Sequence, residues 1–222
     1  MLFCLFTLCS SAYGDYRVED YIDGIPIPWG MTWLPDGDML VTSRQGVLYR
    51  VSGQKIIGTI SGVPEVHVNG QGGLLDIELH PDYANNGWLY LSYSSSEGEG
   101  EGSNTAILRA QFKGNTLENV EILYKAEPNS KKGHHYGSRL EFDNQGYLYF
   151  SIGDRGNRKE NPQDLNKDGG KIYRIHEDGR IPKDNPFLEG SKPAIYSWGH
   201  RNPQGMATVS YTHLTLPTNR EV

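Results

Sequence analysis

Apolar residues in this chain come in short alternating runs separated by turn residues, without a sustained helical period. Three segments share one order. Leu34-Pro35-Asp36-Gly37-Asp38 precedes Met39-Leu40-Val41-Thr42-Ser43, then Val47-Leu48-Tyr49-Arg50-Val51. His80-Pro81-Asp82 precedes Gly87-Trp88-Leu89-Tyr90-Leu91-Ser92, then Ile107-Leu108-Arg109-Ala110. Phe142-Asp143-Asn144-Gln145-Gly146 precedes Tyr147-Leu148-Tyr149-Phe150-Ser151, then Lys171-Ile172-Tyr173-Arg174-Ile175. The turn glycines Gly37, Gly87 and Gly146 are 50 and 59 residues apart. Asp-Gly and Asn-x-Gly turns between alternating runs are hairpin signals. Each unit therefore reads as strand, turn, strand, loop, strand. Repeats near this length, each a small antiparallel sheet, predict an all-β chain folded as β-propeller blades.

A propeller closes with roughly 4–8 blades, and about three are present. A fourth is expected to begin at Trp198-Gly199-His200-Arg201, by analogy with Trp29-Gly30-Met31-Thr32. It never reaches its Asp-Gly turn. Residues 209–222 carry no blade pattern and are similar to a vector or adapter read-through string. The expectation is a fragment of about half a natural protein, with residues 15–207 as the N-terminal part of a propeller domain and 208–222 as a non-native tail.

Composition sharpens this picture at a few points. Twenty-seven glycines and 14 tyrosines against 6 phenylalanines suit a turn-rich β protein. Twenty-one basic against 27 acidic residues give a net charge of −6, which argues against a nucleic-acid partner. No apolar stretch of about 18 residues follows the N-terminus, so no membrane span is expected. Met1–Gly14, an apolar run ending in small residues, reads as a secretory signal peptide, although a basic n-region is missing. A buried first strand is the other reading. Cys4 and Cys9 both lie inside this segment, so its removal leaves a mature chain without thiols, periplasmic or secreted.

Candidate chemistry sits in three polar, Gly-rich loops at one phase of the repeat: Asn69-Gly70-Gln71-Gly72-Gly73, Gly133-His134-His135-Tyr136-Gly137-Ser138-Arg139 and Gly199-His200-Arg201-Asn202-Pro203-Gln204-Gly205. Equal phase in a propeller means one face, at the mouth of the central channel, where a ligand would sit. A neutral histidine, His135, can take a proton from a hydroxyl. A neighbouring arginine, Arg201, can stabilise an oxygen that gains electrons. No Gly-x-Ser-x-Gly elbow surrounds Ser138, and no phosphate-cradling loop opens a helix.

These residues resemble the soluble quinoprotein sugar dehydrogenases, the glucose/sorbosone and aldose sugar dehydrogenase family. The similarity rests on Pro28-Trp29-Gly30-Met31, Asn69-Gly70-Gln71-Gly72-Gly73-Leu74-Leu75, His135-Tyr136-Gly137-Ser138-Arg139-Leu140, Ile152-Gly153-Asp154 and Arg201-Asn202-Pro203-Gln204-Gly205. The resemblance implies a six-bladed propeller holding pyrroloquinoline quinone (PQQ) with calcium. It also implies oxidation of the anomeric hydroxyl of an aldose to a lactone, with electrons passed to an external acceptor such as a soluble cytochrome or quinone. On the matching positions His135 would be the base and Arg201 and Asn202 would face the reactive carbonyl of the cofactor. Gln71 would touch cofactor or sugar. Ser138 and His134 depart from the family pattern. Calcium ligands would come from later blades, so no metal ligand is expected here, and this fragment alone is expected to be inactive. The alternative is a non-catalytic propeller binding carbohydrate or protein.

Three weaker signals complete the reading. Asp164-Leu165-Asn166-Lys167-Asp168-Gly169 imitates the start of a calcium loop but has Ile175 at the twelfth position, so a hydrated turn is expected. Glu97–Gly102 reads as a mobile hairpin loop, and Lys131 and Lys132, beside His134 and His135, as a solvated loop, with attraction of an anionic substrate or cofactor the other reading. Arg50, Arg109 and Arg174 recur by unit and read as structural pairings.

Overall fold

The computed structural model describes residues 17–186 and 190–209, together with the short strand at 214–215. Residues 1–14, read above as a signal peptide, and with them both cysteines, lie outside the described residues. Three four-stranded antiparallel sheets follow one another along the chain. The first contains β1 (Pro28–Trp33), β2 (Met39–Ser43), β3 (Val47–Ser52) and β4 (Lys55–Ile60). The second contains β5 (Leu74–Leu79), β6 (Trp88–Ser95), β7 (Asn104–Lys113) and β8 (Thr116–Lys125), with the single helical turn α1 (Tyr83–Asn86) between β5 and β6. The third contains β9 (Leu140–Phe142), β10 (Tyr147–Ile152), β11 (Lys171–His176) and β12 (Ile195–Trp198). A two-stranded pair, β13 (Ala207–Thr208) with β14 (Leu214–Thr215), follows.

Each sheet pairs its strands in chain order, and β1, β5, β9 and β13 contact one another in succession. The first strand of each blade therefore lines the central axis, as in a propeller. The sequence reading counted three strands per blade. The fourth, outermost strands carry a weaker signal because they face solvent: most of β4 and half of β8, Glu118 to Ile122, are exposed and show no buried alternation. Trp198 likewise ends the outer strand of the third blade and does not open a fourth. The fourth blade is represented by β13, which follows the loop carrying Arg201 and Asn202.

The alternation of side chains sorts them between blades. On β6, Leu89, Leu91 and Tyr93 pack toward the first blade, with Leu40, Leu48, Leu74 and Leu108. Tyr90 points the other way, into a core with Leu140, Phe150 and Tyr173. A blade covered on both faces reads as a continuous apolar run.

One hydroxyl per blade ties that blade to the next. Thr42, Ser92 and Ser151 stand five residues after Gly37, Gly87 and Gly146, each in the second strand and each fully buried. Thr42 Oγ1 donates to the Leu75 carbonyl of β5 and accepts from Gly30 N at 2.8 Å. Ser92 Oγ donates to the Ser138 carbonyl at 2.6 Å and accepts from Asp76 N at 2.9 Å. Ser151 Oγ donates to the Pro203 carbonyl at 2.7 Å and accepts from Arg139 N at 3.0 Å. The recurrent arginines behave as expected: Arg50 pairs with Asp36 and Asp38, Arg109 with Glu121 and Arg174 with Asp184.

Carboxylates on the axial strands make the fold sensitive to pH. Asp76 is 1% exposed and accepts from Arg139 Nη1 at 3.0 Å and Leu140 N at 2.8 Å. Burial nevertheless lifts it to about 6. Burial, then the charges of Glu141 and Asp76, lift Glu78 to about 8. Raised carboxyl values mean that the folded chain holds these protons more tightly than the unfolded one. The stability they contribute is complete below the unfolded values near 4 and is lost as pH rises through about 6 and then about 8. The thermal midpoint is expected to fall between about pH 5 and 8.5. Glu78→Gln should flatten the upper part of that fall, and a variant with an unchanged slope would refute the assignment. Among the described residues, no helix is long and apolar enough to cross a membrane.

Candidate active site

The loops that precede β5, β9 and β13 leave the sheets at the same end as those joining β2 to β3, β6 to β7 and β10 to β11. Backbone conformation is strained there. His135, Ser138 and Arg155 have φ of 58°, 82° and 52°, values that side chains other than glycine adopt at a cost. The first two lie in the loop before β9, and Arg155 in the loop after β10. The loops are held against one another by close backbone approach. A Cβ on Gly70, itself at φ +58°, would lie 2.1 Å from the Gly133 carbonyl, and one on Gly153 would lie 2.1 Å from the His135 carbonyl. Gln71 N donates to the Gly133 carbonyl at 2.6 Å across the first of these approaches. Gly70→Ala is expected to force the two loops apart at a cost of about 1–3 kcal/mol, read as a lowered denaturation midpoint. An unchanged midpoint would mean that the loops are not clamped.

The loops carrying all four residues singled out from the sequence converge, three of them through side chains. Gln71 Oε1 accepts from His135 N at 2.8 Å, and Asn202 Oδ1 accepts from Gly137 N at 2.9 Å. Arg201 joins through its carbonyl, which accepts from Asp154 N at 2.7 Å. Three successive blades thus contribute to one small area.

Sequence reasoning quoted Asp154 in a motif but gave it no role, and the structure gives it one. Its side chain is 1% exposed and its Oδ1 lies 2.7 Å from His135 Nδ1. The same oxygen accepts from Gly156 N at 2.7 Å. A carboxylate only accepts, so an ionised Asp154 pairs with the imidazole form whose Nδ1 bears a proton, and in the neutral ring that form leaves the lone pair on Nε2. Asp154 Oδ2 is buried without a partner among the described residues. The only sequence signal was a Gly-Asp pair ending a strand; its pairing with a histidine 19 residues earlier is a matter of three dimensions.

His134 stands edge-on to His135, with ring centroids 4.7 Å apart. Burial, followed by the neighbouring His135, Arg155 and Lys132, holds its imidazole below the ordinary value and so favours the neutral form. Behind both rings, Arg155 is 1% exposed and lies 3.5 Å over the Tyr136 ring. Its guanidinium donates to the carbonyls of His134, Lys132 (2.8 Å) and Ser103 (3.1 Å). Arg155 thereby clamps the histidine loop from the side opposite Gln71.

The loop from 153 to 170 is anchored at its far end by Asp168, which is not the hydrated turn residue expected. Asp168 is fully buried, with Tyr124 and Tyr173 donating to Oδ1 at 2.5 and 2.8 Å. Glu127 N and Lys192 Nζ reach Oδ2 at 2.6 and 2.8 Å. The acidic loop at Glu97–Gly102, expected to be mobile, is tied by Asn129 Nδ2, which donates to the carbonyls of Ser96, Glu97 and Gly100.

The donor set fits a planar quinone. Gln71 and Asn202 each use their amide oxygen on backbone, which leaves their NH₂ groups as donors for a ligand, and Arg201 lies in the same loop as Asn202. Electron-poor carbonyls that gain negative charge are held by such donors.

Comparison with known proteins places the chain among sugar dehydrogenases. Aldose sugar dehydrogenase YliI of Escherichia coli (strain K12) is 38% identical over 211 residues, covering 93% of this chain and 57% of that protein. Quinoprotein glucose dehydrogenase B of Acinetobacter calcoaceticus is 33% identical over 208 residues, covering 81% of this chain and 43% of its own length. The solved structure of the PQQ-bound form of aldose sugar dehydrogenase from Streptomyces coelicolor superposes with a TM-score of 0.76 at 32% identity, over 90% of this chain and 58% of that one. The chain spans about half the length of the curated relatives it matches. With a family model, Glucose / Sorbosone dehydrogenase, matching residues 25–216, the chain belongs to the glucose/sorbosone dehydrogenase family.

Proposed function

We propose that this chain carries the proton-accepting half of a quinoprotein sugar dehydrogenase site. The substrate is the anomeric hydroxyl of an aldose and the product a lactone. The observation that carries the reading is the His135–Asp154 pair, ringed by Gln71, Asn202 and Arg201.

In this reading His135 Nε2 takes the hydroxyl proton while the C–H bond at the same carbon gives up hydride, which leaves a carbonyl. PQQ, when bound, supplies the two-electron acceptor for that hydride. Asp154 keeps the imidazole in the tautomer whose Nε2 is unprotonated and stabilises the imidazolium that forms. Arg201 and the Asn202 amide stabilise negative charge on the acceptor's oxygen. Gln71 orients the His135 backbone through its Oε1 and offers Nε2 to cofactor or sugar. Two electrons then pass to an external acceptor, a soluble cytochrome or quinone. Export to the periplasm or outside the cell belongs to the same proposal, since the apolar Met1–Gly14 segment has the form of a signal.

The test is a titration of PQQ and calcium into a protein carrying this chain at the full length of its relatives, followed by a panel of aldoses. Cofactor uptake and sugar-dependent dye reduction are the expected result. A folded protein that takes up no quinone yet binds sugar would replace the reading with that of a non-catalytic carbohydrate-binding propeller.

A further inference from the structure

The face that holds His135 carries a second concavity, of about 280 Å³, between the loop before β9 and the loop after β10. Ser130 and Lys132 line it from the first loop, and Arg155, Asn157, Asn161 and Lys167 from the second. Three of these six are cations and none is a carboxylate. Two of the cations are poorly compensated. Lys132 Nζ donates to the Gly156 carbonyl at 2.6 Å and has no carboxylate partner among the described residues. Arg155, almost wholly buried, hydrogen-bonds backbone carbonyls and lies over the Tyr136 ring with the Asp154 charge nearby, and its Nε has no hydrogen-bond partner among the described residues. The adjoining Asp154 carboxylate bonds His135 and Gly156 through Oδ1 and does not bond Arg155. Lys167 is partly matched, with Asp164 at 3.5 Å and Glu160 at 3.8 Å.

A guanidinium buried without a bonded carboxylate costs free energy that a nearby anion offsets. Two ammonium groups and the Ser130 hydroxyl can reach such an anion directly, the pattern of charge-assisted oxyanion recognition. The chain as a whole carries −6, so this positive concavity is a local feature of a protein that otherwise repels anions. We propose that the concavity is an oxyanion subsite that takes a phosphate or carboxylate group, either as a free anion or as a substituent of an acidic sugar. His134 marks how near it lies to the base: a Cβ on Gly156 would meet His134 Nε2 at 2.4 Å and Lys132 Cδ at 2.7 Å.

Inorganic phosphate titrated into this chain, without quinone, tests the proposal by calorimetry. Saturable binding is expected, weakened about fivefold or more by Lys132→Gln and by Lys167→Gln, the loss expected for one charge-assisted hydrogen bond. Both side chains sit at the rim of the concavity, so their melting midpoints should match the parent chain. Lys131→Gln is the control, because Lys131 pairs with Glu101 and does not line the concavity. No saturable binding, or an equal loss with Lys131→Gln, would overturn the subsite. Glucose 6-phosphate binding more tightly than both phosphate and glucose would assign the group to a sugar, and binding equal to phosphate would assign it to a free anion. The phosphate measurement involves no redox cofactor, so it stands or falls separately from the dehydrogenase reading.

Discussion

Under the proposed dehydrogenase function, replacing His135 by alanine in the cofactor-loaded, full-length protein is expected to lower kcat on the order of 10²–10⁴-fold, the usual worth of a positioned general base. The loss should fall on kcat more than on KM, because the proton is transferred only as the reaction proceeds. Alanine introduces one ambiguity. His135 sits at φ +58°, a region that histidine and asparagine enter more readily than alanine. His135→Asn keeps a residue suited to that conformation and removes the basic nitrogen. Both variants should lose turnover alike, with the asparagine form melting nearer the parent. If His135→Asn retained turnover, a different group would be the base. Asp154→Asn is the companion measurement. Its NH₂ in place of a carboxylate oxygen favours the wrong imidazole tautomer, and a loss of roughly 10²-fold or more in kcat is expected with the histidine still present. Equal activity of Asp154→Asn and parent would leave the dyad without a catalytic role.

The largest expected effect on stability is at Asp168→Ala. Its carboxylate satisfies two tyrosine hydroxyls, one backbone N–H and one lysine, all converging on a group fully removed from water. Burial, followed by the Asp168 charge, holds the Tyr124 and Tyr173 hydroxyls well above the ordinary phenol value, so both remain donors. Truncation strands the Tyr124 hydroxyl and the Glu127 N–H around a void, while Tyr173 keeps its bond to the Asp168 carbonyl and the partly exposed Lys192 turns to solvent. Breaking a buried pair in this way costs about 3–5 kcal/mol, read as the shift in the urea midpoint. Asparagine should not rescue it, since its NH₂ would face a backbone N–H or the Lys192 ammonium. Tyr124→Phe and Tyr173→Phe each remove one donor with its bond and should cost about 1 kcal/mol apiece. A loss below about 1 kcal/mol for Asp168→Ala would show that the network contributes little.

Much of this architecture was legible in the residue order, for identifiable reasons. The second strand of each blade is almost wholly buried and its neighbours largely so outside β1, so their alternation and their Asp-Gly or Asn-x-Gly turns are written into the chain. Outer strands such as β8 owe their place largely to hydrogen bonding along β7, with the side chains of Glu118 to Ile122 in water, and leave no such imprint. Gln71, His135, Arg201 and Asn202 could be found because they recur at one phase of the repeat. Asp154 and Arg155 belong to a different loop of the blade, and their bonds to the histidine loop cross between segments whose contact no periodicity announces. Asp168 misled for a related cause: an Asp-rich turn looks solvated until Tyr124 and Lys192 arrive from elsewhere in the chain.

The buried hydroxyls of Ser92 and Ser151 have a further consequence, best put as a problem of tolerances. Gln71, His135 and Asn202 hang from three consecutive blades, so the opening between the first and the last is the sum of two angular steps. Each step is set in part by one oxygen: Ser92 locates the strand that follows Ser138, and Ser151 locates the turn at Pro203. Misalignment at either joint is therefore added to the next, as in a flight of stairs where every tread is measured from the one below. The dimensions of the site are the accumulated result of its joints, and a hydroxyl far from any substrate becomes part of the gauge.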